Sequence, residues 1–201
     1  MPKTRVLRAL TLLRQAMQQA VPPVFQGTVE VDETYLGGSW RNRRNRPVGV
    51  GHTMRRGRGT PLKTPIFGIL CRKGQVWAEV VPNISRATLQ TIIRRQVRPG
   101  ATVWSDTLQS YTGIATKGYV HRLVRHALGQ YGRGERHING LEGFWGYLKR
   151  RLVAKGGIRR ERLPLYLAEY VWRYNHRQLS VEQQTQQLIR LLVQFRSHSG
   201  G

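Results

Sequence analysis

The order of patterns along the chain predicts an α/β domain, a mixed sheet flanked by helices with a basic insertion after the first strand. Three observations carry that expectation. Three strand-like segments come first, close enough to pair antiparallel; two more short strands follow, each after a helical segment; the remainder is helical in period. With 201 residues, 39% of them hydrophobic, and five Trp and eight Tyr as large packing units, the chain can bury one core with a small appendage. No internal repeat is visible.

Taken in order, Val6, Leu7, Leu10, Leu13 and Met17 follow a helical face over 3–19, which Val21-Pro22-Pro23 ends. Residues 24–36 alternate as a strand closed by Gly37-Gly38, and 39–63 carry Arg and Lys among Gly, Asn and Pro. Pro65 opens a second strand over 66–71, Lys73-Gly74 turns the chain, and 76–81 returns as a third. Ser85 is placed to cap a helix over 86–97, with Leu89, Ile92 and Ile93 on one face, and Pro99-Gly100 breaks it. A short buried strand at 101–104 leads to Ser105-Asp106, a short helix is expected over 107–114 and a strand over 119–124. Helical period returns over 138–153, with Leu141, Trp145, Leu148 and Leu152 on one face, then over 163–177 and 181–195. Three antiparallel-type strands followed by crossover helices and parallel strands match the ribonuclease H-like α/β fold.

Charge narrows the function. Lys plus Arg number 34 against 10 Asp plus Glu, for a net charge of +24. Such an excess points to a polyanionic partner, nucleic acid first; a basic protein held on ribosomes or acidic membrane without chemistry is the plain alternative. Cys71 is the single cysteine, which excludes a disulfide framework and a Cys-based zinc site and fits a reducing cytoplasm. No apolar run approaches the roughly 20 residues of a membrane span, and the N-terminal stretch lacks the apolar core and cleavage site of a secretory signal.

In a chain so poor in acid, Val29-Glu30-Val31-Asp32-Glu33-Thr34 places three carboxylates in one strand. The two aspartates, Asp32 and Asp106, each fall at or near a strand end. Pairing of those strands would bring both carboxylates to one edge of the sheet, and Glu142 on the later helix supplies a third. Three such oxygens suit Mg²⁺ or Mn²⁺. Two divalent ions roughly 3.5–4 Å apart are the usual device for phosphoryl transfer on nucleic acid. Asp at a strand end is otherwise a common turn or cap residue, and a helical Glu is commonly just solvated. Spacing alone leaves Glu30, Glu33 and Glu135 as competitors. Alternation puts Glu30 on the face of Asp32, as a buried neighbour or auxiliary ligand, and Glu33 on the other.

VEVDETYLGG, KTPIFGIL, PGATVWSDTLQSY, HINGLEGFWGYLKRRL and LAEYVWRYNHR resemble, in that order, the catalytic domain of the ISXO-like transposases. The resemblance covers about 27–177. These are bacterial insertion-sequence enzymes of the DDE class, with a ribonuclease H-like, retroviral integrase-like core. It implies divalent-metal-dependent DNA cleavage and strand transfer, with Asp32, Asp106 and Glu142 as metal-binding catalytic carboxylates. It also implies that Lys149, seven residues beyond Glu142, meets DNA beside the site. Some members use Asn as the third residue, and Asn139 is close by; the match at Glu142 and the Lys spacing favour Glu142.

Arg41, Arg43, Arg44, Arg46, Arg55, Arg56 and Arg58 of the insertion, with Lys149 and Arg150, are expected to grip the DNA backbone. His137 is open to a metal or phosphate contact, with ordering of the loop before the helix the favoured expectation. Phe144, Trp145, Trp172 and Tyr174 read as core, while Arg173, Asn175, His176 and Arg177 could touch DNA or cap the last core helix. The resemblance divides the chain into 1–26, a helix left from a DNA-binding region, 27–177, the catalytic domain, and 178–201, a C-terminal helix and tail. Family members usually carry a zinc ribbon and helix-turn-helix before this domain. The expectation here is a shortened copy or end recognition by a partner. It further implies a homo-oligomer on DNA and a bacterial cytoplasmic, nucleoid-associated location. An inactive DNA-binding remnant and a hydrolytic nuclease of the same fold are the rival readings.

Overall fold

The computed structural model describes residues 2–20, 22, 24–37, 63–72, 74–106, 109–124, 139–156 and 158–198. Arg41, Arg43, Arg44, Arg46, Arg55, Arg56 and Arg58 lie outside the described residues, as do Glu135 and His137. Five strands, β1 Thr28–Leu36, β2 Thr64–Cys71, β3 Val76–Val80, β4 Thr102–Ser105 and β5 Val120–Leu123, form one sheet in the order β3-β2-β1-β4-β5. β1, β2 and β3 pair antiparallel, and β4 and β5 run parallel to β1. This is the ribonuclease H-like arrangement that the pattern predicts. The helices are α1 Lys3–Gln19, α2 Arg86–Gln96, α3 Asn139–Val153, α4 Leu163–Asn175 and α5 Val181–His198.

Strand alternation sorts the core into two layers. On one face Val29 and Val31 of β1, Phe67 and Ile69 of β2 and Val103 of β4 pack with Leu89, Ile92 and Ile93 of α2. On the other, Leu36, Ile66 and Leu70 pack with Leu141, Phe144, Trp145 and Leu148 of α3 and Leu163, Leu167, Tyr170 and Val171 of α4. Ser85 caps α2 as expected, its Oγ accepting from the Thr88 N–H at 3.3 Å. α1 packs on α4 and α5. It is tied there by Arg14, whose Nε–H donates to Glu169 Oε2 at 2.8 Å while its guanidinium lies 4.0 Å from the Tyr166 ring centre.

Two local expectations change. The first strand starts at Thr28, because Phe25 instead bridges to Val97 beyond α2, accepting from Arg98 N–H and donating to Gln96 O. The helix expected over 107–114 is a pair of 3-10 turns, Gln109–Tyr111 and Ile114–Lys117. Gly113, at φ +83°, separates them with a left-handed residue that no helix contains.

The tail of α4 also takes its place. Asn175 grips β3 at both ends of one amide, accepting from Val76 N–H and donating to Val76 O, each at 2.8 Å. Arg177 donates to Gly74 O and Tyr174 O, His176 Nδ1 lies 2.8 Å from Trp172 O, and Arg173 pairs with Glu169. Asn175 and Arg177 thus tie the helix end to β3 and the turn before it, while the bonds of Arg173 and His176 lie within α4 and its cap.

Candidate active site

The site grows from β1, the central strand. Glu30, Asp32 and Thr34 lie on the face that α3 covers, and Glu33 lies on the α2 face. The β1–β4 register pairs Glu30 with Trp104, and two further residues along each chain bring Asp106 level with Asp32. Asp32 is the fifth of the nine residues of β1, mid-strand where the sequence places it at or near a strand end, because β1 continues to Leu36 along β2. Asp106 is the first residue past β4, and bonds around that strand end and the turns beyond it fix the local chain. Ser105 Oγ donates to Asp106 O at 2.9 Å and lies 2.8 Å from His121 Nε2. Gln90 Nε2 donates to Ser110 O and Thr112 O.

Three acids on this strand have different surroundings. Asp32 is pushed up to about 7 by burial first, then by the charge of Glu33, with Asp106 adding to it. Two hydrogen bonds oppose the shift without cancelling it. The Trp145 indole Nε1–H donates to Asp32 Oδ2 at 2.9 Å, and the Glu33 backbone N–H also bonds the carboxylate. Glu30 is raised too, chiefly by burial, and the charge of Glu142 contributes. Its Oε2 accepts from the Leu141 N–H at 3.2 Å, and the Gly140 N–H also bonds it. A carboxylate from the sheet thus satisfies amide groups in the first turn of α3, where the helix dipole favours an anion. On the opposite face, Glu33 Oε2 accepts from the fully buried Tyr111 hydroxyl at 2.8 Å. Burial first and then Glu33, Asp32 and Asp106 push that hydroxyl well above its ordinary value.

Two glycines let α3 come close. A Cβ at Gly68, the cross-strand partner of Asp32, would stand 2.6 Å from Trp145 Cη2, and one at Gly140 would stand 3.1 Å from Glu30 Oε2. Helix and strand therefore meet at two places, Glu30 against the first turn of α3 and Asp32 against Trp145.

Of the residues expected from sequence, Asp32 and Asp106 come within reach of each other's charge, and Glu142 lies on the exposed flank of the helix seated beside them. Lys149 and Arg150 are exposed further along α3; Lys149 is about 10 Å beyond Glu142 on nearly the same flank. Asn139 opens the helix. Among the described residues, no three His, Cys, Asp or Glu side chains stand close enough to hold a metal ion, so Glu142 is not gathered with the two aspartates in one shell. Sequence reasoning missed Trp145 as a partner of Asp32, and Tyr111, Gln90 and His121 altogether. Phe144, Trp145 and Trp172 are core as expected. The available signal for Trp145 was chemical: a buried indole N–H usually finds an acceptor.

The family model of the ISXO2-like transposase domain matches residues 24–175. The chain belongs to that family. The chain is 36% identical over 107 residues, 53% of its length and 86% of the relative's, to a Haemophilus influenzae protein described as an uncharacterized transposase-like protein. A Halobacterium salinarum protein, described as lying in transposable element ISH50, is 27% identical over 172 residues; the match spans 83% of this chain and 55% of that relative. Among solved structures, the catalytic core domain of BIV integrase aligns with TM-score 0.44 and 18% identity, over 72% of this chain and 81% of that one. The Mos1 transposase paired-end complex with left transposon end aligns with TM-score 0.33 and 12% identity, over 97% and 63%. No described helix of the ISXO2-like domain is long and apolar enough to cross a membrane.

Proposed function

We propose that this chain is a DDE transposase whose catalytic domain, 27–177, cleaves DNA at an element's ends and joins the freed 3′-hydroxyl to target DNA. The observation that carries the reading is the approach of Asp32, in the middle of β1, and Asp106, just past the end of the parallel strand β4, beside the helix that bears Glu142 and Lys149. The donor chemistry suits a divalent cation. Both aspartates offer hard oxygens, and the burial that, with the lesser charges of Glu33 and Asp106, raises Asp32 to about 7 is a cost that a bound cation would relieve. Asp32, Asp106 and Glu142 would hold Mg²⁺ or Mn²⁺, which supplies activation of the attacking oxygen and charge stabilisation of the leaving one.

The chain's own residues do the rest. Trp145 and Glu30 seat α3 against β1, so that Glu142 is carried on a helix fixed to the strand of Asp32. Ser105 holds the backbone of Asp106, and Gln90 holds the turns at Ser110 and Thr112. Lys149 and Arg150 hold DNA phosphates near the acids, which alone would repel them, and the arginines of residues 41–58 extend that grip. Water displaces the 3′-oxygen from the end phosphate in the first step. In the second, the new 3′-hydroxyl attacks a target phosphodiester, losing its proton, and a target 3′-oxygen leaves. This chemistry on two ends calls for a homo-oligomer on DNA, in the nucleoid of a bacterial cytoplasm.

A strand-transfer assay tests this, with labelled element-end DNA, a plasmid target, and Mg²⁺ or Mn²⁺, comparing wild type with Asp106→Asn and Glu142→Gln. Joined products lost in both variants and in chelator are expected. Nicking without joining would replace the reading with a nuclease. DNA binding with no metal-dependent product would replace it with an inactive remnant.

A further inference from the structure

Trp145 is read from sequence as a core residue, and it is buried, yet α3 also directs it onto Asp32. Its ring packs 5.1 Å from Phe144, centre to centre, and its outer edge lies over Gly68, where even one methyl would overlap it. Gly68 pairs with Asp32 across the β1–β2 ladder. The glycine therefore clears the path by which the indole crosses β2 and brings Nε1 to 2.9 Å from Oδ2.

From this geometry we infer that Trp145 is a positioning residue for a divalent cation: its indole N–H pins Oδ2 of Asp32 and fixes the rotation of that carboxylate, so that its remaining lone pairs face the ion in one orientation. The inference rests on the metal-site reading above. A carboxylate offers about four lone-pair sites, and the indole with the Glu33 N–H engages two, leaving room for an ion held through one edge. Hydrogen bonds of this kind to ligating carboxylates commonly change metal affinity by about 10–100-fold. Trp145→Phe keeps an aromatic ring on α3 but removes the donor together with part of the packing over Gly68, so a packing control is needed. Leu148, buried on the same helix face, offers a control that weakens packing without touching Asp32.

The test is Mn²⁺ binding to the full chain without DNA, followed by paramagnetic resonance of the free ion at a temperature where every variant is folded. Trp145→Phe should weaken binding by about 10-fold or more. Leu148→Ala, chosen for a similar loss of melting temperature, should leave binding unchanged, and Trp145→Phe should add nothing in an Asp32→Asn background. Equal Mn²⁺ affinity in Trp145→Phe and wild type, or an equal loss in Leu148→Ala, would overturn the assignment alone. Absence of Mn²⁺ binding by wild type would overturn the metal reading and the assignment together. If Trp145→Phe does not fold, the Trp145 indole N–H resonance of wild type, identified by its displacement in Asp32→Asn, carries the test. It should shift on adding Mg²⁺, and a resonance that Mg²⁺ leaves in place would refute the assignment.

Discussion

Asp32→Asn should make the metal-free protein more stable, and more so at pH 8 than at pH 4. Burial, Glu33 and Asp106 raise the folded-state value of Asp32 from 3.8 to about 7. A carboxyl raised in the folded state stabilises the fold fully below its unfolded value, and that contribution is lost as pH rises through the folded one. The window therefore runs from roughly pH 4 to pH 7, with the loss complete above it. At about 1.4 kcal/mol per pH unit the ceiling is ~4 kcal/mol. Asparagine keeps an acceptor for Trp145 but gives up the charge that strengthens the bond, so a gain of ~2 kcal/mol at pH 8 is expected, or about 4–8 °C in melting temperature for a chain of this size. At pH 4 the variant and wild type should nearly coincide. Thermal melts in chelator at the two pH values give the answer. A variant that is less stable at pH 8, or shifted equally at both, would refute the electrostatic account of Asp32.

Gly68→Ala should cost about 1–3 kcal/mol through overpacking, since the added Cβ would stand 2.6 and 2.7 Å from two indole carbons of Trp145; an unchanged urea midpoint would show that the helix can retreat. Glu169→Ala should cost about 3 kcal/mol by stranding Arg14, whose side chain is 12% exposed. Burial raises Glu169, but its bonds to Arg14 and Arg173 outweigh that and hold it below the usual carboxylate value; its stabilisation is thus present above about pH 4.5 and lost as pH falls. Urea midpoints of Glu169→Ala and wild type should therefore converge in acid. Lys149→Ala with Arg150→Ala should flatten the salt dependence of duplex binding by about 2 in log K against log salt; filter binding over a salt series measures it, and an unchanged slope would remove both residues from the DNA surface.

Strand existence and order were legible because β1 alternates in residue type and β2 is a short apolar run, buried on both faces and bounded by turn residues, and because Ser85 and Pro99-Gly100 punctuate α2. The face shared by Glu30 and Asp32 followed from alternation alone. What was not legible depended on long-range partners. Phe25 has the apolar character of a strand residue but finds its bridge at Val97, and nothing local distinguishes that from pairing within the sheet. The turns after β4 take their shape from Gln90, twenty residues earlier, and from Gly113. Trp145 belongs to the helical apolar stripe by spacing; its bond to Asp32 spans 113 residues and depends on the glycine opposite. Glu142 was found by its match to a motif, and the structure adds only that it shares a helix flank with Lys149.

The seating of α3 has a bearing on how such a chain can tolerate change. Both polar anchors of this helix, Glu30 to its first turn and Asp32 to Trp145, belong to one strand encoded more than a hundred residues earlier. The aim of Glu142 is thereby set by β1 and not by the length of chain joining β5 to α3. Insertions in that joining segment can lengthen or recompose it while the helix keeps its place, so the distance along the chain from Asp106 to Glu142 can vary while the seating on β1 stays.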